Sequence, residues 1–159
     1  VSLIRVRVFG KEKLSASKSY VYVANHLSQV DIIASAATVP HPIRFLAKSE
    51  TKNIPVFGYM VKMLGIVVDR KSKESREKSV VYMAEELKKG ISLFLYPEGT
   101  RNRTDQPLKE FKDGAGRVAI MAQVPIVVQT LVGTKKVNDP EGLVQLYPGT
   151  VEVHFSEPI

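Results

Sequence analysis

Hydrophobic and polar positions follow two rhythms along this chain, and each predicts its own elements. Ile4, Val6 and Val8 alternate with Arg5 and Arg7, a period of two that predicts an edge-like strand with one face in water. Tyr20 to Ala24 is instead an unbroken apolar run, the pattern of an interior strand covered on both faces. Ile43 to Ala47, Gly65 to Asp69, Ile91 to Tyr96, Pro125 to Leu131 and Val151 to Phe155 read as further short strands. Between them lie helix-compatible stretches at Asp31 to Ala37, Pro55 to Leu64 and Gly114 to Gln123. The best-marked helix is Lys73 to Lys89, where Val80, Met83, Ala84 and Leu87 recur at helical spacing. Ser72 is its candidate N-cap, Lys88 and Lys89 complement its C-terminal dipole, and Gly90 stops it.

Strands and helices alternate without repeats, low-complexity tracts or a long linker, which predicts one compact α/β unit. Two charged loops, after Ala24 and after Tyr96, fall at the carboxyl ends of apolar strands. In open α/β sheets that edge is where ligands bind.

The 159 residues suit a single domain, and 44% hydrophobic with 25% charged residues excludes disordered, collagenous and coiled-coil classes. There is no Cys, hence no disulfide framework and no thiol chemistry. Lys and Arg number 23 against 16 Asp and Glu, a net charge of +7 that favours anionic partners. Nucleic acid fits poorly, because Trp is absent and the Tyr and Phe residues are not interleaved with the cations. No apolar run approaches the ~20 residues that span a bilayer.

His26 and Asp31 are the first candidates for chemistry. On one continuous helix this pair would diverge by about 140°. The two meet only if His26 lies in the loop and Asp31 in the first turn of the helix that follows. A carboxylate on one imidazole nitrogen fixes the tautomer and leaves the other nitrogen to take a proton from a hydroxyl. The competing reading is structural: Ser28 and Asp31 have the spacing of a capping box, which would make the acid a helix-start residue only. His41, between two prolines, and His154, in the last strand, lack a spaced carboxylate and read as loop or surface histidines.

Pro97-Glu98-Gly99-Thr100-Arg101 is the second candidate. Gly99 permits a tight turn with exposed N–H groups, Thr100 adds a hydroxyl, and Arg101 and Arg103 offer planar forks for phosphate. A solvated basic turn is the plainer alternative. Neither Gly114-Ala115-Gly116 nor Gly133-Thr134-Lys135-Lys136 completes a nucleotide motif.

Taken together, these blocks resemble the glycerolipid acyltransferase family, the 1-acylglycerol-3-phosphate acyltransferases and their relatives. Asn25-His26 with Asp31 matches the family's N-H-x4-D block. Ala47-Lys48-Ser49-Glu50, Ile54-Pro55-Val56-Phe57-Gly58 and Gly65 to Arg70 follow in order, then Pro97 to Arg101 and Phe111-Lys112 with Gly114. Thr51 and Asn102 depart from the usual pattern, and Pro125-Ile126-Val127-Val128-Gln129 lacks the second Pro often found in the last block, departures that bear on substrate preference and on that block's local geometry. The resemblance implies a mixed, mostly parallel sheet flanked by helices. It implies that His26 is the general base on an acceptor hydroxyl and that Asp31 orients it. By the same resemblance Arg101 and Lys48 hold the acceptor phosphate, Arg70 and Lys112 assist, Glu98 positions Arg101, and Gly99 and Thr100 complete the cradle.

The implied reaction moves a fatty acyl group from acyl-CoA or an acyl carrier protein thioester to the sn-2 hydroxyl of lysophosphatidic acid, giving phosphatidic acid. The thioester is a cosubstrate; no resident cofactor or metal is implied. Glycerol 3-phosphate or another lysophospholipid is the alternative acceptor, and a noncatalytic module binding anionic phospholipid is the alternative class. Family members usually add an N-terminal anchor. Residues 1–159 are therefore expected to be the catalytic domain of a longer membrane-associated protein at the cytoplasmic face. The basic cluster Arg70, Lys71, Lys73, Arg76 and Lys78 would meet an anionic membrane, unless it is merely a solvated helix start.

Overall fold

A computed structural model describes residues 3–53, 57–69, 71–138 and 145–159. Seven strands form one sheet in the order β1-β7-β6-β2-β5-β3-β4, with β1 Ile4–Phe9, β2 Val21–Ala24, β3 Ile43–Lys48, β4 Gly65–Val68, β5 Ser92–Leu95, β6 Ile126–Val132 and β7 Gly149–Phe155. The block from β6 to β4 is parallel throughout, whereas β7 runs antiparallel to β6 and β1 lies parallel to β7. The sheet is thus mixed and mostly parallel. Its helices are α1 Val30–Thr38, α2 Phe57–Leu64, α3 Lys73–Lys88, α4 Gly114–Ala122 and the single turn α5 Thr134–Val137. Short 3-10 turns at Lys11–Lys13 and Ser49–Asn53, like α5, lack the periodicity that would mark them in sequence.

The apolar runs are explained by burial on both faces. Tyr20, Tyr22 and Ala24 point into a core shared with Ala34 of α1 and Val137 of α5, while Val21 between them points into a second core. That second core holds Val80, Met83 and Leu87 of α3 and Ala115, Val118 and Ala119 of α4. In β5, Phe94 belongs to the first core and Leu93 and Leu95 to the second. Each such side chain contributes about 1.5–3 kcal/mol on burial, so the central strands anchor whatever loops leave their ends. The Ser72 hydroxyl caps α3 by accepting from Ser75 N–H at 3.1 Å, and Gly90 stops the helix with φ 86°. No helix among the described residues is long and apolar enough to cross a membrane.

One expectation needs correction here. β1 does lie at the sheet edge, but Val6 and Val8 are exposed as well as the arginines: α1 and α5 pack against β7 and leave the strand beyond it uncovered. In the basic cluster at the start of α3, Lys78 pairs with Glu74 at 2.5 Å and Lys73 with Glu77 at 4.0 Å. Arg70 lies outside the described residues.

Glu86 ties α3 to the sheet. Its carboxylate is buried and meets Lys89 at 2.9 Å and Arg44 at 3.4 Å. The hydrogen bond from Lys89 holds the carboxyl below its ordinary value of 4.5, aided by Arg44 and opposed by burial. A native-state pKa lowered in this way stabilises the fold above the unfolded value and loses that contribution as pH falls through the native one. The urea midpoint of the wild type should therefore exceed that of Glu86→Gln at neutral pH, and the two should converge as the pH is lowered below 4.5.

Candidate active site

β2 ends at Ala24, and the next residue continues the sheet with its side chain. The Asn25 amide donates to the Leu131 carbonyl at 3.0 Å and its oxygen accepts the Leu131 N–H at 2.8 Å. This double bond to β6 fixes the point at which the chain leaves the sheet, one residue before His26. The sequence marks no such role for Asn25 except its adjacency to the histidine.

His26 lies in the loop and Asp31 in the first turn of α1, as the geometry of the pair required. Nδ1 of His26 is 3.0 Å from Oδ2 of the fully buried Asp31. The same oxygen accepts the backbone N–H of Leu27 at 2.5 Å and of Ser28 at 2.6 Å. The Ser28 contact is one half of a capping box. Bracing the ring and closing the helix start are therefore not alternatives, because one carboxylate oxygen does both. Since that oxygen only accepts, Nδ1 carries the proton and Nε2 keeps its lone pair. The imidazole is 12% exposed and stacks on Tyr96, with ring centroids 4.1 Å apart and planes inclined by 19°. Burial pushes the Tyr96 phenol well above its ordinary range, while a hydrogen bond to Ser35 opposes that shift and the charge of Asp31 adds to it. Tyr96 is thus a neutral platform for the ring.

The loop after β5 grips the backbone of His26 from both sides. The His26 N–H donates to Oε1 of Glu98 at 2.9 Å, and its carbonyl accepts the Asn102 N–H at 2.7 Å. Glu98 is buried, and its Oε2 accepts the Lys109 N–H at 3.0 Å. The contacts just given make Glu98 a clamp between two loops. Asn102 is buried too, and its side chain binds the Gln106 carbonyl, the Thr104 N–H and the Thr104 hydroxyl. Gly99 sits at φ 75° and donates to the Tyr96 carbonyl at 2.9 Å, a left-handed turn that favours glycine.

A cavity of about 310 Å³ opens beside the imidazole. His26, Gly99, Thr100 and Arg101 line its polar part, and Ile32, Phe45, Ala47, Val61, Phe94 and Tyr96 are among those that line the rest. An apolar groove with an imidazole and a guanidinium on its wall suits an amphiphile: a hydrocarbon tail inside, an anionic head at the cations. The structure thus brings four of the residues singled out in the sequence to one cavity and buries Asp31 behind them. Lys112 is exposed, and its N–H donates to the Pro97 carbonyl at 2.8 Å at the end of the same strand. Lys48 ends β3, but its side chain, like Arg70, lies outside the described residues.

His41 departs from expectation. It is in a loop but buried, with Nε2 2.9 Å from the Ser15 carbonyl and Nδ1 2.7 Å from the Tyr22 hydroxyl. A carbonyl only accepts, so Nε2 donates and Nδ1 is left to receive the Tyr22 proton. Burial, with Tyr20 adding to it, raises the Tyr22 phenol above its usual range and keeps that proton in place. His154 stays half-exposed in β7, stacked on Phe9 and 3.3 Å from Glu152, a carboxylate partner two residues away that the sequence reading overlooked.

A mostly parallel sheet carries an acid-braced imidazole at its carboxyl edge, beside a cavity that Arg101 also lines, which defines an α/β domain with a candidate acid–base site. Residues 5–131 match the model of the acyltransferase family, and the chain belongs to that family. It is 36% identical over 159 aligned residues to the chloroplastic 1-acyl-sn-glycerol-3-phosphate acyltransferase of Arabidopsis thaliana, an alignment covering 98% of this chain and 44% of that one. Against the 1-acyl-sn-glycerol-3-phosphate acyltransferase of Escherichia coli identity is 32%, covering 87% of this chain and 56% of its relative. The crystal structure of PlsC, the 1-acyl-sn-glycerophosphate (LPA) acyltransferase of Thermotoga maritima, superposes with a TM-score of 0.80 at 29% identity, over 98% of this chain and 61% of that one. The chain spans about half the length of the curated relatives it matches.

Proposed function

We propose that residues 1–159 form the catalytic domain of a 1-acylglycerol-3-phosphate O-acyltransferase, which moves a fatty acyl group from a thioester to the sn-2 hydroxyl of lysophosphatidic acid. The observation that carries this reading is the 3.0 Å contact between His26 Nδ1 and Asp31 Oδ2 at a cavity shared with Arg101. Nε2 of His26 takes the proton of the acceptor hydroxyl. The freed oxygen attacks the thioester carbonyl, the carbon–sulfur bond breaks, and the departing thiolate takes the proton back from the imidazolium. Arg101 holds the acceptor phosphate, with Gly99 and Thr100 beside it and Lys112 nearby; Lys48 and Arg70 join them on the strength of the family resemblance. Asp31 holds the tautomer and balances the imidazolium charge.

Acyl-CoA and acyl carrier protein thioesters are both anionic donors, and a net charge of +7 suits either one, as it suits an anionic membrane at the cytoplasmic face. Release of free thiol from each thioester, with and without lysophosphatidic acid, tests the proposal. Thiol release that depends on the acceptor and yields phosphatidic acid is the expected result. No acceptor-dependent release from either donor would refute it, and an acceptor panel with glycerol 3-phosphate and other lysophospholipids separates the alternatives.

A further inference from the structure

The side chain of Lys109 has no part in the site described so far, yet the loop that forms the cavity wall holds the residue at both ends. Its backbone N–H donates to the buried Glu98 at 3.0 Å, and its ammonium donates to the Thr100 hydroxyl at 2.8 Å. Thr100 lines the cavity between Gly99 and Arg101. The residue is half-buried. Lys13, Lys73, Lys78 and Lys89 each meet a carboxylate, whereas the ammonium of Lys109 meets none among the described residues. A hydroxyl occupies one of its three donors and neutralises none of its charge, so two donors and the full charge remain for a ligand.

We propose that Lys109 is a further cation of the headgroup site, binding the phosphate of a substrate together with Arg101. A phosphate monoester carries about −1.5 to −2 charges at neutral pH, more than one guanidinium compensates. Lys109 adds charge from a side chain already tied to the cavity wall, so less of its freedom is lost when the ligand binds. The proposal rests on the acyl-transfer reading above. Phosphate is the shared chemistry of the acceptor and of the phosphorylated carrier arm of the donor.

Steady-state kinetics of the wild type and Lys109→Gln, varying one substrate at a time, tests it. The expected result is a rise of about ten-fold in KM for lysophosphatidic acid with kcat within about two-fold, since a hydrogen bond to a charged group is lost. Lys109→Arg should restore most of the affinity, Thr100→Val should weaken binding in the same direction, and use of an unphosphorylated monoacylglycerol should be unaffected by Lys109→Gln. A rise confined to the KM of acyl-CoA, and absent with a thioester that lacks phosphate, supports the same contact with the donor as its source. Unchanged KM values for both substrates would overturn the proposal. Direct titration with short-chain lysophosphatidic acid, without donor, separates the two readings. Phosphate-dependent binding that needs Lys109 in a chain that transfers nothing would refute the acyl transfer and keep the contact. Binding by wild type and Lys109→Gln with equal affinity would sink the contact alone.

Discussion

His26→Ala should lower acyl transfer by about 10²–10⁴-fold, the range supplied by a positioned general base, while substrate binding changes far less. Folding should survive the change. Asp31 Oδ2 loses one of its three donors and keeps the Leu27 and Ser28 N–H groups, and the backbone bonds of residue 26 to Glu98 and Asn102 do not involve the imidazole. Thiol release under single-turnover conditions isolates the chemical step. Equal rates for wild type and variant would show that His26 takes no proton.

Asp31→Asn is expected to cost about 10³–10⁴ in kcat, because an amide no longer dictates which ring nitrogen carries the proton and no longer balances the imidazolium. Its remaining oxygen can still receive the two backbone N–H groups. Asp31→Ala removes that acceptor altogether and leaves those donors orphaned at a fully buried position, at about 1–3 kcal/mol each. The pair of substitutions separates chemistry from folding: both abolish turnover, but only alanine should shift the urea midpoint strongly. Near-normal turnover by the asparagine variant would remove Asp31 from the mechanism.

Much of this architecture was legible locally. α3 announces its ends through Ser72 and Gly90, and the unbroken run at Tyr20 to Ala24 foretells burial on both sides, because both signals arise within a few residues. The spacing of His26 and Asp31 also told where each must sit. It did not decide between brace and cap, since one oxygen serves both. What escaped the sequence depends on distant partners. The prolines around His41 mark a loop, as found, but say nothing of Tyr22 and Ser15, remote in the chain, which pair it at a buried position. Glu98 acts on a histidine 72 residues earlier, and Lys109 owes its position to Glu98 and Thr100 rather than to any motif. The exposure of Val6 and Val8 follows from where the covering layer stops, which no alternation of residues encodes.

The grip of Glu98 and Asn102 on the main chain of His26 makes the turn that carries Arg101 and the turn that carries the imidazole a single stiff lever. The position of one arm therefore constrains that of the other. Occupancy of the anionic end is then felt as aim at the reactive end, so an acceptor stripped of its phosphate should be slow even when saturating, not merely weakly held. On the acyl-transfer proposal, selection among lipids would then act through alignment rather than through adhesion.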